Sequence, residues 1–291
     1  MKKRNRFGIF TLVLILSLCG CTQDKIPISS SSDVQKEQDT LPEAEITPEE
    51  EPFLYGYQNL NEEEKTRYRQ ILAGIENYED SVTVEACSEE EINKVSNLVF
   101  VDHPEIFWLE QQNYSFNQKE NSDVDLLELN LVYNMGKDEI EDTKQQIEAK
   151  AEEWSQELSN CENEYDKIKY VYEFLGKNVL YDSESENNQN IQSVFLNQST
   201  VCMGFAKATQ YLLVRNGIFC TLVTGKVIPE NMEHAWNLVR IGENYYYVDT
   251  TWSSSGFVPE EDSIQDFSYT YLCCTAQTLE RSHVPDDNLT L

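Results

Sequence analysis

The chain has 291 residues, 40% of them hydrophobic and 25% charged, with 52 acidic against 22 basic residues and a formal net charge of −30. That apolar content excludes a wholly disordered chain and supports one or two folded domains. The excess of acid excludes nucleic acid and anionic lipid headgroups as electrostatic partners, and suits basic peptides better.

Lys2, Lys3, Arg4 and Arg6 precede a mostly apolar run from Phe7 to Leu18. The run is too short to span a bilayer as a mature helix and reads as the core of an export signal. It ends in Leu18-Cys19-Gly20-Cys21, which resembles a bacterial lipobox. The resemblance implies a signal peptide over residues 1–20 and lipidation of Cys21, which would anchor the chain to the cell membrane with its folded part outside the cytoplasm. An ordinary secretory signal cleaved nearby is the alternative, and the mature chain is exported in either case. Residues 21–55 hold the serine run 29–32, Pro27, Pro42 and Pro48, many acids and almost no aromatics. Such a composition cannot bury a core and reads as a flexible tether.

Residues 56–136 read as a small α+β accessory domain. Asn61 with Glu64, and Ser88 with Glu91, each precede apolar residues at helical spacing. Residues 106–109 and the pair Tyr114 and Phe116 read as short strands. Leu127, Leu129, Leu131 and Tyr133 alternate with wetter residues as a strand with one solvated face. From residue 137 the chain reads as a second domain. Ile140, Ile147, Ala151, Trp154 and Leu158 mark a long amphipathic helix, and Ile168, Val171, Tyr172 and Leu175 another. A third helix runs from Cys202 to about Asn216, stopped by Gly217. Residues 218–224, 234–241 and 245–252 read as strands, the last two as an antiparallel pair.

Three residues in this second part suit one chemistry. A cysteine at a helix N-terminus meets free N–H groups and a partial positive charge, which favour the thiolate. Cys202 stands there, with Gly204 leaving space above the backbone. Its own N–H is one donor for the oxyanion of a tetrahedral intermediate, and Gln192 is a candidate for the second. An imidazole can hold the thiolate and later protonate a leaving amine. Of the three histidines, His103 lies in an apparent turn and His283 in the C-terminal tail, whereas His234 lies on a strand. A two-residue turn at Gly242-Glu243 pairs Ile241 with Asn244 and makes His234 and Asp249 diagonal neighbours on one face. A three-residue turn would part them. Cys202, His234 and Asp249 thus read as nucleophile, base and orienter. Asp249 capping a turn is the plainer alternative for that residue.

Of the eight cysteines, Cys19 lies in the signal and Cys21 at the proposed anchor. With Cys202 free, Cys87, Cys161, Cys220, Cys273 and Cys274 cannot all pair, and no CxxC occurs. Buried free thiols are expected, with no disulfide framework, no zinc site and no cofactor.

The segments Cys202-Met203-Gly204-Phe205-Ala206, Gly217-Ile218, His234-Ala235-Trp236-Asn237 and Val248-Asp249-Thr250-Thr251-Trp252 together resemble the bacterial transglutaminase-like superfamily. The resemblance covers about residues 165–255, and weakly the tail near Tyr271 and His283. It implies a papain-like α+β fold with the cysteine-bearing helix packed on an antiparallel sheet, the same three catalytic residues and no required cofactor. It implies acyl transfer on a peptide or glutamine-type amide at the cell surface, with water (a protease or amidase) slightly favoured over an amine (a crosslinking enzyme) as acceptor. A non-catalytic surface scaffold on the same fold is the rival reading. Oligomeric state is left open.

Overall fold

A computed structural model describes residues 41–110, 116–119, 126–253 and 267–286. The export signal, Cys21 and Tyr114 lie outside these residues. The tether ends sooner than the expected residue 55. The Ala44 N–H donates to the Arg69 carbonyl at 2.9 Å, and Leu54 is buried. Arg69 reaches both the Glu43 carboxylate at 2.8 Å and the Tyr57 hydroxyl at 2.6 Å. Here one acid of the expected tether, Glu43, is the partner of a partly buried arginine.

Helix α1 (Tyr55–Gln58) points the N–H groups of Gly56 and Tyr57 at the Asp102 carboxylate, each at 2.8 Å. Burial pushes Asp102 up to about 6, although these bonds and the Tyr68 hydroxyl hold its charge. Helix α2 (Glu62–Glu76) opens on the complete Asn61–Glu64 capping box. Helix α3 (Glu89–Asp102) is capped by the Ser88 hydroxyl, while the Glu91 side chain pairs with Arg67 instead of closing a second box. Strands β1 (Ser81–Glu85), β2 (Phe116–Lys119) and β3 (Leu126–Asn130) form an antiparallel sheet in the order β1-β3-β2. The strand expected over 106–109 is absent but for one bridge from Leu109 to Tyr133. Ile106, Phe107, Trp108 and Leu109 are all buried, so no wet face distinguishes a strand there.

Helix α4 (Lys137–Ser155) runs on into a 3-10 turn to Asn160, and α5 (Glu164–Asn178) follows. Trp154 stacks on Phe195 at 4.9 Å between ring centres, which ties α4 to the π-turn Ser193–Asn197. The short strands β4 (Leu180–Tyr181) and β5 (Ser199–Thr200) pair in parallel and deliver the chain to α6 (Cys202–Arg215). Gly217, at φ +76°, ends that helix. The main sheet has the order β8-β7-β6-β9, with β6 Cys220–Val227, β7 Met232–Ile241, β8 Asn244–Val248 and β9 His283–Pro285, all antiparallel. A last helix, α7 (Ala276–Leu279), precedes β9. Ile241 pairs with Asn244, so the turn has two residues. Gly242 is at φ +58° and Glu243 is not among the positive-φ residues, which excludes the type I′ turn. β8 stops at Val248, short of the expected residue 252, because Asp249 redirects the chain into a 3-10 turn over 251–253.

One hydrophobic core runs through both halves. It joins Ile71, Ile92 and Val95 to Ile147, Trp154, Tyr172, Phe205 and Leu212. From residue 40 onward the chain is a single compact unit, with no break in packing at residue 136. All six cysteines beyond residue 86 are free thiols; Cys220 and Cys274 are buried, whereas Cys87, Cys161 and Cys273 are only partly so.

Candidate active site

Helix α6 presses its small residues against the sheet. Ala206 meets Leu222 and Ala235, and the Asn237 amide donates to the Ala206 carbonyl at 3.0 Å. This contact fixes the helix against β7 and brings Cys202, at its first position and partly exposed, to the imidazole of His234. The space above Gly204 is filled. A Cβ there would lie 1.9 Å from the Thr200 hydroxyl oxygen. That hydroxyl accepts from Ser193 at 2.8 Å and donates to the Asn188 carbonyl at 2.9 Å, joining the preceding loop to the start of the helix. Gly204→Ala is therefore expected to destabilise the protein by about 1–3 kcal/mol, measured by urea unfolding.

His234 is 9% exposed and lies on β7, two residues after the strand begins. Its Nε2 meets Asp249 Oδ2 at 2.8 Å, which leaves Nδ1 outside that bond, and the Cys202 side chain acts on the same ring. Trp236 and Trp252 flank the imidazole, each at 5.9 Å. Burial disfavours the charged ring, yet the Asp249 carboxylate and the Cys202 sulfur raise His234 to about 10. Asp249 is completely buried. Desolvation works against its charge, but His234 and His283 hold it down to about 2. Its Oδ1 accepts from the N–H groups of Thr251 at 3.0 Å and Trp252 at 3.4 Å, so Asp249 both caps the turn and meets the histidine.

His283 is the residue that sequence reasoning set aside. β9 pairs with the far edge of β6 and places His283 Nε2 at 3.1 Å from the same Asp249 Oδ2. Its Nδ1 lies 2.8 Å from the Ser282 hydroxyl, which lies 2.6 Å from the Tyr271 hydroxyl. The turn at residues 242–243 pairs only neighbouring strands, and no local pattern in the tail carries the chain back to β6. His103 instead ends α3 and bonds Glu105 at 2.7 Å. Gln192 has its Oε1 buried without a partner, and among the described residues its amide nitrogen has none either.

Among the described residues, His234, Asp249 and His283 are the one group whose ligand atoms, within 4.8 Å of one another, are close enough to chelate a cation. Both Nε2 atoms are already committed to Asp249 Oδ2, and a cation there would break the bond that orients His234. A cavity of about 670 Å³ bounded by Leu54, Leu72, His103, Trp108, Lys144 and Tyr211 lies apart from all these residues. Shape alone would favour it. The juxtaposed sulfur, imidazole and carboxylate favour the end of α6, because thiol chemistry needs that set and no cysteine lines the cavity.

A helix-borne cysteine, a strand histidine and a carboxylate on an antiparallel sheet define a class of thiol-bearing α+β domain. Residues 152–250, which contain all three, match the transglutaminase-like superfamily. The kyphoscoliosis peptidase of Mus musculus is 23% identical over 147 residues, which cover 45% of this chain and 22% of that protein. The chain thus spans about a fifth of that relative's length. Among solved structures, a TGase aligns over 62% of this chain and 52% of its own, with 16% identity and a TM-score of 0.36. A candidate cysteine protease from Cytophaga hutchinsonii aligns over 48% and 62%, with 17% identity and a TM-score of 0.33.

Proposed function

We propose that the protein is a cysteine-dependent acyl-transfer enzyme acting on peptide or glutamine-type amides through Cys202, His234 and Asp249. The observation that carries this reading is His234, bonded through one ring nitrogen to a buried carboxylate, with the thiol of Cys202 at a helix start acting on the same ring. The Cys202 sulfur, held as a thiolate beside the protonated His234, attacks the amide carbonyl. The N–H of Cys202, with Gln192 as the candidate second donor, receives the oxyanion. Collapse breaks the C–N bond, and His234 protonates the leaving amine. Water, deprotonated by His234, then releases the acid and restores the thiol. An amine in place of water would leave an isopeptide bond. Hydrolysis is favoured because water is abundant and, among the described residues, nothing marks a tunnel for an amine.

The same proposal places the enzyme outside the cytoplasm, tethered through lipidated Cys21 by the residues that follow, where it meets protein or peptide substrates at the cell surface. Among the described residues no helix is long and apolar enough to cross a membrane. Mass spectrometry of surface proteins from cells making the wild-type or Cys202→Ala protein tests the reaction. New chain ends that need Cys202 are the expected result. Isopeptide links would move the assignment to crosslinking, and identical surface proteomes would favour a scaffold.

A further inference from the structure

His283 has none of the freedom of a tail residue. The Ile228 N–H donates to the Ser282 carbonyl at 2.8 Å and the Asp286 N–H to the Thr224 carbonyl at 3.0 Å, so β9 is pinned at both ends. The rings of Trp252, Trp236 and Tyr271 stand 4.7 to 5.0 Å from its own, and it is completely buried. An apolar side chain would fill such a box without the cost of desolvating two ring nitrogens. Both nitrogens are instead engaged. Nδ1 lies 2.8 Å from the Ser282 hydroxyl, which also reaches the Leu279 carbonyl at 3.4 Å, and because the ionised Asp249 can only accept, the Nε2–H of His283 donates to its Oδ2. One oxygen thus accepts from two imidazoles.

We propose that His283 is a positioning residue for the Cys202–His234 pair, whose N–H on Asp249 Oδ2 limits how tightly that oxygen holds the His234 proton. This rests on the acyl-transfer reading of the site. A carboxylate devoted to His234 alone would make the imidazolium a reluctant acid towards the leaving amine, and sharing its charge moderates that hold. Thr251 and Trp252 keep Oδ1 in place, so losing His283 frees the charge on Oδ2 without releasing the carboxylate. Few other titratable groups bear on the pair. Cys202 faces His234 from α6, while Tyr172 of α5 and Tyr271 and Cys274 of the segment before β9 feel Asp249.

The test is an NMR titration of the protein labelled with 15N-histidine, in which three ring systems are to be assigned. The wild-type spectrum should show His283 protonated at Nε2 and accepting at Nδ1. In His283→Ala the His234 midpoint should move upward by about half a pH unit or more, and His283→Gln, which keeps an N–H donor, should restore most of the wild-type value. His283→Phe fills the box without a donor and serves if the alanine variant does not fold. An unchanged His234 midpoint in a folded variant without a donor, or a His283 Nε2 bearing no proton in the wild type, overturns the proposal. The titration needs no turnover. A reaction that fails to appear would remove the enzymatic reading while leaving this coupling measurable.

Discussion

Asp249→Asn should abolish nearly all turnover, with a loss on the order of 10⁴-fold. Isosteric in shape, asparagine cannot match the hydrogen-bond pattern. Four donors converge on the carboxylate, two backbone N–H groups on Oδ1 and two imidazole nitrogens on Oδ2. An amide offers one oxygen and one NH2. Whichever way it lies, donors face donors on one side. With the NH2 towards the rings, Nε2 of His234 must accept, which drives the ring to its neutral form and removes the positive charge that holds the thiolate of Cys202. The variant should also lose stability, by about 3–5 kcal/mol if His234 stays charged and by less if it sheds its proton. The pH dependence gives a second check. His234 is raised in the folded protein, so its contribution is complete below its unfolded value near 6.5 and fades as pH climbs through about 10. Asp249 is depressed, so its contribution is complete above about 3.8 and fades as pH falls towards about 2. Urea unfolding should show stability falling at both ends of this range in the wild type and much less so in the variant.

Gly225→Ala should detach the C-terminal strand. A Cβ on Gly225 would lie 2.2 Å from the Val284 carbonyl oxygen, 2.8 Å from the Pro285 Cα and 2.7 Å from Trp236 Cη2. Two of these atoms are backbone and cannot rotate away, so β9 must lift and carry His283 from Asp249. The expected cost is about 1–3 kcal/mol, the usual range for an overpacked core site. Hydrogen exchange should locate it. The amides of Ile228 and Asp286, which bond across to and from β9, should exchange faster, while those of α2 should not change. Gly217→Ala is the control. It meets open space, and its penalty comes only from φ +76°, so it should weaken the end of α6 and leave β9 protected.

Local patterns carried much of this fold. Asn61 and Ser88 announce their helices because capping is settled within four residues. Alternation along β7 and β8, with Gly242 at the turn, fixes the register and so brings His234 towards Asp249. The unread parts depend on distant partners. β8 ends early because Asp249 turns its other oxygen to the next two N–H groups, and a sequence pattern does not separate a strand's last residue from a cap. Residues 43–54 look like tether until distant partners are known: Arg69 binds Glu43 and Ala44, and Leu54 is buried. His283 sits 34 residues from Asp249, and its strand joins an edge that no hairpin rule assigns.

The central claim is that His234 activates the sulfur of Cys202, and peptide-resolved alkylation measures it directly. The native protein is treated with limiting iodoacetamide at pH 6, and the modification of each cysteine is followed by mass spectrometry. Burial raises the thiols of Cys87 and Cys161 and pushes Cys273 up to about 12, so all three should react slowly. Cys202 should be modified well ahead of them, and His234→Ala should remove most of that lead. Modification of Cys202 at the pace of the other three, or at an unchanged pace in His234→Ala, would contradict the account.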